Sequence, residues 1–538
     1  MNSVAATSSL YRTTALQPLV LNWPSMNASR QHLDRRNFSF FQVTTAAFVL
    51  IAYCGCEYQV ETPSTLAAAS SDSDSARDIS DSEKTDTTST NPIPNSTADE
   101  RPARPVDQNA ADRTFYVTPT GDGRMDGSDW ANAATAASLQ ELLSEKVTAG
   151  DRVVLGSGQF PQFSVSKGGS PSQQITITGT DTGGGLPSIQ GRWKETNPKY
   201  HAHSWNAISL ADGVSHVRIG GLQFSGFLYG VKATNNRDIE LFDLSISRCR
   251  EGISLNGLTD STIRNCQMIG YAKRGIRFDR GCHDLVVADV AADATGGQDA
   301  WPTEAFPFGF AVEDGDGNHS IRFERCTARN NVFPGEPGKY WNGDGFVAEN
   351  NSYDLTYVDC MSIGNSDGGW DDKSRAPRLI GCIAARNKRG FRLWNVRGDN
   401  EHPARLENCL GVYNKSVGGS GSSDGLWLCG TVEAERCTFH NNATAAIAIE
   451  NNGPGGKLRA VDCILSSDSQ VASKPLVLKE SGTTYEAIEV VQWNGSLDDD
   501  PQYKAASSQW DGDPLDAFNS LRYGSAKGFR HGSGSANN

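Results

Sequence analysis

Two segments of the 538-residue chain concentrate side chains able to do chemistry: Tyr340-Trp-Asn-Gly-Asp-Gly-Phe-Val-Ala-Glu and Asn365-Ser-Asp-Gly-Gly-Trp-Asp-Asp-Lys. They contain Asp344, Asp367, Asp371 and Lys373, and Lys388, Arg389 and Arg392 follow closely. Carboxylates gathered in one place repel unless something positive sits among them, and oxygen-only ligands select a hard cation such as Ca2+. A cation beside basic side chains is what β-elimination from a uronate sugar requires. Cation and arginine neutralise the sugar carboxylate and the developing enolate, while a base removes the acidified C5 proton. Each residue also has a plainer reading. Asp beside glycine favours turns, Arg392 can pair with Asp371 across strands, and Lys373 can pair with Glu349. Trp341, Trp394 and Trp427 suit sugar stacking and loop packing equally.

These residues act together only if the fold sets the segments in register, and a repeat does so. From Leu222 to Cys463 a short strand pattern recurs, ending at Leu222, Leu244, Cys266, Val290, Cys326, Cys360, Cys382, Cys409, Cys437 and Cys463. A period near 22 residues with variable excess marks a solenoid whose coils share strands and differ in loops. Five residues past the ladder position stand Asn331, Asn365, Asn387, Asn414 and Asn442, spaced to stack and hydrogen-bond along the axis. A second strand, Gly-apolar-x-apolar, follows at Gly252, Gly275, Gly309, Gly345, Gly390 and Gly425. The pattern predicts an all-β right-handed parallel β-helix of about ten coils. Strand alternation then sends Ser254, Arg277, Ala311, Val347, Asp371, Arg392 and Trp427 outward in one column. Lys373 and Trp394 share the next outward column, and Asp344, Gly368, Arg389 and Asp424 share the one before the glycines.

The formal charge of −14 argues against nucleic acid, whose binding leans on Lys and Arg meeting phosphates. Ten of the twelve cysteines lie in the repeat and seven hold the ladder position, which suits small buried hydrophobes better than disulfides. No Cys/His spacing suggests zinc.

Residues 1–57 look like an export signal: Asp34-Arg-Arg-Asn-Phe-Ser-Phe is twin-arginine-like and precedes an apolar run from Thr44 to Ala52. Met26 is an alternative start. Cys54 or Cys56 is a candidate for lipid attachment, the sole membrane contact expected. Residues 58–112 are too polar to order and form a linker. The β-helix is expected over 113–500, with a partly disordered extension over 501–538. Ala137-Ser-Leu-Gln-Glu-Leu-Leu-Ser-Glu reads as a helix capping the solenoid, with Ser138 as N-cap and Glu141 completing a capping box.

The chain resembles the family 9 polysaccharide lyases, the pectate lyase group. The resemblance rests on Phe115-Tyr-Val-Thr-Pro-Thr-Gly-Asp-Gly, Ala149-Gly-Asp-Arg-Val-Val-Leu-Gly-Ser-Gly-Gln-Phe, Gln174-Ile-Thr-Ile-Thr-Gly, Asn342-Gly-Asp-Gly-Phe and Asn365-Ser-Asp-Gly-Gly-Trp-Asp. It covers residues 113 to 465. It implies an exported, Ca2+-dependent enzyme that cleaves an acidic polysaccharide, with Asp344, Asp367 and Asp371 on the metal. Arg392 stands where the family carries its lysine base, and Gly368 where it carries a second aspartate. Arginine is nearly always protonated, so Lys373 is the alternative base. Lys388, Arg389, Trp341 and Trp394 are expected to contact substrate, and the protein to be a monomer. A non-catalytic glycan-binding or surface β-helix is the competing expectation. The motifs of polygalacturonases and of uronate epimerases are missing.

Overall fold

A computed structural model describes residues 113–191, 205–494 and Phe529, apart from 298–305, 314–316, 334, 336–338, 396–400, 453–454 and 468–474. The expected signal and linker lie outside the described residues, as does the C-terminal extension except Phe529.

Each full coil carries three strands. Strands such as Arg237–Phe242 and Thr259–Arg264 lead up to the ladder position and form a ladder sheet. Ser245–Ser247 and Gln267–Ile269 follow it in a short-strand sheet. Glu251–Asn256 and Arg274–Asp279 form a glycine sheet. Strands pair parallel with their equivalents one coil away. The result is the right-handed parallel β-helix. The short-strand sheet has thirteen strands among the described residues, against about ten coils predicted. Gln159–Phe160 and Ser188–Gln190 precede the recognisable ladder and Val491–Asn494 follows it, in coils that lack its motif.

All ten ladder residues are 0–2% exposed and sit at the bend between ladder and short strands. The bend is made by the residue before each of them, which adopts positive φ at Asp243, Asn265, Asp289, Asp359, Asn408 and Asp462, and also at Gly221, Gly381, Arg325 and Arg436. Asn and Asp tolerate that conformation best among side-chain-bearing residues, which is why the repeat reads polar-then-Cys. The ten repeat cysteines are free and buried. Burial holds the thiols of Cys326, Cys360 and Cys409 well above their ordinary pKa, so they stay protonated and inert.

The predicted asparagine stack forms. Asn331 Nδ2 donates to Asn365 Oδ1, Asn365 Nδ2 to Asn387 Oδ1, and Asn414 Nδ2 to Asn442 Oδ1, each at 2.8 Å. The Asn387 amide N–H joins the series through Asn414 Oδ1 at 3.1 Å. Phe310, Phe346, Trp370 and Phe391 stack beside it, with ring centroids 4.7–5.0 Å apart.

The capping helix is present but begins earlier than its capping box implies. Helical turns run from Ala136–Ser138 through Leu139–Glu141 to Leu142–Lys146. Thr135 is the N-cap, accepting from Ser138 N at 3.1 Å, so Ser138 lies inside the helix and makes no cap bond. Gln140 exchanges two hydrogen bonds with Ser164, 3.1 and 2.9 Å, which pins the helix to the strand Phe163–Val165. Phe529 packs on the outer face of the short-strand sheet, against residues such as Ile383, Leu410 and Ile464, its N–H donating to Thr438 Oγ1 at 3.0 Å.

Candidate functional site

The glycine sheet sets the register of the charged segments. Val347, Asp371, Arg392 and Trp427 are neighbours on successive strands, as the alternation predicts. The glycines are required by the approach of the next coil: a Cβ at Gly390 would lie 2.4 Å from the Gly425 carbonyl oxygen and 2.9 Å from Asn414 Nδ2. Side chains that follow are therefore held close above one another, and unlike charges meet.

Asp371 is the hub of one group. Its Oδ2 accepts from Arg392 Nη1 at 2.8 Å and lies 3.2 Å from Lys373 Nζ. Lys373 also donates to both oxygens of Glu349, at 3.0 and 3.1 Å. Burial opposes the charged form of Lys373, but Asp371 and Glu349 outweigh it and raise its pKa. Its acidic neighbours hold the proton on Lys373, which counts against it as the alternative base. The Arg392 guanidinium lies 4.2 Å from the Trp394 ring centroid and 4.8 Å from that of Trp427. The two indoles meet edge-on at 5.1 Å.

Asp367 is the hub of the second group, on the same two coils but before the glycines of the strands. Its Oδ1 accepts from Arg389 Nη1 at 2.8 Å and lies 3.1 Å from Lys388 Nζ, while Oδ2 accepts from the Tyr340 hydroxyl. Lys388 is fully buried with its Nζ 4.4 Å from the Tyr340 ring centroid. Burial lowers its pKa, with Asp367 opposing. Arg389 lies 4.0 Å from the Trp427 ring. Trp341 packs on the loop through Gly418 and Gly419, where a Cβ would lie 2.4 and 3.0 Å from its atoms. That places Trp341 as loop packing and Trp394 with Trp427 as the aromatic platform.

Asp344 completes the three aspartates. Its Oδ1 accepts from Gly368 N at 2.5 Å, and its Oδ2 is buried without a donor. Burial first, then the charges of Asp367 and Asp371, hold its carboxyl well above the ordinary range. Asp371 Oδ1 is likewise buried and unpartnered. These two orphan oxygens on adjacent coils suit a cation, whereas Asp367 has spent its oxygens on Lys388, Arg389 and Tyr340. Among the described residues no three His, Cys, Asp or Glu side chains group closely enough to hold a metal ion. The expected three-aspartate set is thus not assembled, and of its oxygens only Asp344 Oδ2 and Asp371 Oδ1 are left without a partner.

The sequence pattern placed Asp424 in the column before the glycines but gave neither it nor Asp372 a role. Asp424 follows Arg389 in the column before the glycines and is fully buried, with neither oxygen in hydrogen-bonding geometry. Burial pushes its carboxyl up to about 6, with the Ser422 hydroxyl and Arg389 opposing. Asp372 occupies an inward position where the repeat calls for an apolar side chain. It accepts from Tyr357 at 2.9 Å and from the Ser374 N–H and hydroxyl at 2.9 and 2.5 Å, and burial pushes it up to about 6. The signal for Asp372 was available: a carboxylate at a core register.

The family profile described as a right-handed β-helix region matches residues 204–395. No curated protein sequence matches the chain. Among solved structures, a pectate lyase, Pel9A, is 13% identical over 72% of this chain and 77% of its own, with a TM-score of 0.31. An alginate lyase from Paenibacillus sp. is 14% identical over 70% of this chain and 99% of its own, TM-score 0.31. The periplasmic alginate epimerase AlgG is 14% identical over 66% and 82%, TM-score 0.38. The family profile and the strand pairing support the β-helix and nothing specific to family 9. Among the described residues no helix is long and apolar enough to cross a membrane.

Proposed function

We infer that the glycine-sheet face between Asp344 and Trp427 binds an acidic polysaccharide and cleaves it by β-elimination. The observation that carries the reading is Arg392: its guanidinium is anchored by Asp371, flanked by two indoles, and has a buried Nε with no partner. A held guanidinium beside aromatic rings suits a uronate carboxylate and the sugar ring that bears it. That geometry makes Arg392 a clamp. Lys388, whose proton burial loosens, is then the better base, provided Tyr340 moves aside to admit the substrate. Lys373, held protonated by Glu349 and Asp371, adds positive charge near the enolate. Ca2+ would be held by Asp344 and Asp371 and would neutralise the sugar carboxylate. The export signal expected from the sequence over residues 1–57 accords with a polymer met outside the cytoplasm.

A second reading, a non-catalytic acidic-glycan binder, is favoured by one observation: Arg389, Arg392, Lys373 and Lys388 all have acidic partners within the chain. The test is ultraviolet absorbance of unsaturated ends during incubation with uronate polymers, with and without Ca2+. Cleavage is expected, and Arg392→Ala should lower kcat/KM by about 100-fold or more. Arg392→Lys should recover only part of this, because lysine lacks the fork that grips a carboxylate. Binding without any unsaturated product sinks the lyase reading and leaves the binder.

A further inference from the structure

The coil that carries Arg389 and Arg392 has a counterpart elsewhere on the same face. Arg274-Gly-Ile-Arg-Phe and Arg389-Gly-Phe-Arg-Leu share one pattern, arginine before the glycine and arginine in the first outward column. Their strands, Arg274–Asp279 and Arg389–Asn395, belong to one sheet, connected through Phe308–Val312, Asp344–Ala348 and Gly368–Asp372. Arg277 and Arg392 therefore stand in one column, and Arg274 and Arg389 in another.

The two pairs are also built alike. The Arg274 guanidinium lies 4.3 Å from the ring of Phe308 on the next coil, as Arg389 lies against Trp427. Arg274 Nε is held by Glu313 at 2.8 Å, and Arg277 Nη2 by Asp279 at 2.5 Å. Among the described residues Arg274 Nη2 and Arg277 Nη1 make no further bond, and the Arg277 side chain is 31% exposed. Between the pairs the first column holds Ala311, Val347 and then Asp371, whose carboxylate is already met by Arg392 and Lys373.

We propose that Arg274 and Arg277 form a second carboxylate subsite, so that one acidic polysaccharide chain lies along the solenoid axis and reaches both arginine pairs. This rests on the reading of the Arg392 face as an acidic-polysaccharide site. The pairs are four coil steps apart, which at about 4.8 Å per step is ~19 Å. A hexuronate advances about one coil step per residue, so chains of about five residues or more span both subsites while trimers engage only one.

The experiment is calorimetric titration of the intact protein with uronate oligomers of defined length. Wild type is expected to bind long oligomers about 10- to 100-fold more tightly than trimers, the gain of a second charged contact. In Arg274→Gln/Arg277→Gln that gain should vanish while trimer affinity stays unchanged, whereas Arg392→Gln should weaken binding at every length. Arg277→Gln alone, at the more exposed of the two positions, tests the same point should the double variant melt early. Length dependence that survives in both variants overturns the second subsite and leaves the Arg392 face intact. Absence of binding by wild type at any length overturns both.

Discussion

Inside the coils Asn365 stacks on Asn387, and Cys382 is followed by Cys409; outside, at the same period, Asp371 is followed by Arg392 and then Trp427. The inner stacks repeat one residue type because one polar group must satisfy the next copy of itself in a dry core, where a missed hydrogen bond is costly. The outer columns face no such demand along most of the solenoid, and their residues vary freely. Where an outer column nonetheless becomes buried and charged, atoms are left unpaired: Asp344 Oδ2, Asp371 Oδ1, Arg389 Nε, Arg392 Nε and both oxygens of Asp424. Identity along a column marks structure; buried mismatch marks a place kept for something else.

The largest effect that separates the two regions is expected inside. Asn387→Leu would strip the acceptor from Asn365 Nδ2 and from the Asn365 N–H, and the donor from the Ser362 carbonyl. Several buried groups would lose partners at once, costing about 4 kcal/mol by denaturant unfolding. A loss below about 1 kcal/mol would show that the stack is decorative.

This contrast also explains what the sequence made legible. The fold was readable because the inner demand is periodic: cysteine, asparagine and glycine recur at fixed offsets, and register followed from alternation. Arg392 beside Asp371 and Lys373 beside Glu349 followed from register alone. The partnership of Asp367 did not, since Tyr340 reaches it from a loop whose path no periodicity describes. Nor could the pattern show that the pKa of Lys373 is raised while that of Lys388 is lowered, because that depends on which acid each ammonium reaches and on burial. The helix start was misplaced by three residues because Thr135, rather than Ser138, had the conformation a cap needs.

Asp372 crosses the boundary between the regions, an ionisable group in the interior. An aspartate in the unfolded chain titrates near 3.9, and Asp372 in the fold titrates at about 6. Between those values the folded chain holds a proton that the unfolded chain has released. Stability should therefore fall as pH rises from about 4 to about 6, by about 2–3 kcal/mol, and level off above. Asp424 adds a slope of the same sign. Asp372→Asn should remove part of the slope, read as urea midpoints across that range. An unchanged slope would show that Tyr357 and Ser374 already stabilise the carboxylate fully.

The smallest effect belongs to an outer column away from the site. Arg405 pairs with Glu433 at 2.9 Å on the ladder sheet, with side chains 47% and 35% exposed. Such a pair gains little, because water screens it and two long side chains must be ordered to make it. Arg405→Gln is expected to shift stability by no more than about 0.5 kcal/mol and to leave binding of acidic oligomers unaltered. The geometry resembles that of Arg392 with Asp371, an arginine bonded to a carboxylate on the neighbouring strand. What differs is burial: Arg392 is 15% and Asp371 9% exposed, and two indoles shut water out. If Arg405→Gln weakened oligomer binding as much as Arg392→Gln, surface charge in general would be attracting the polymer, and the glycine-sheet face would lose its claim to be a site.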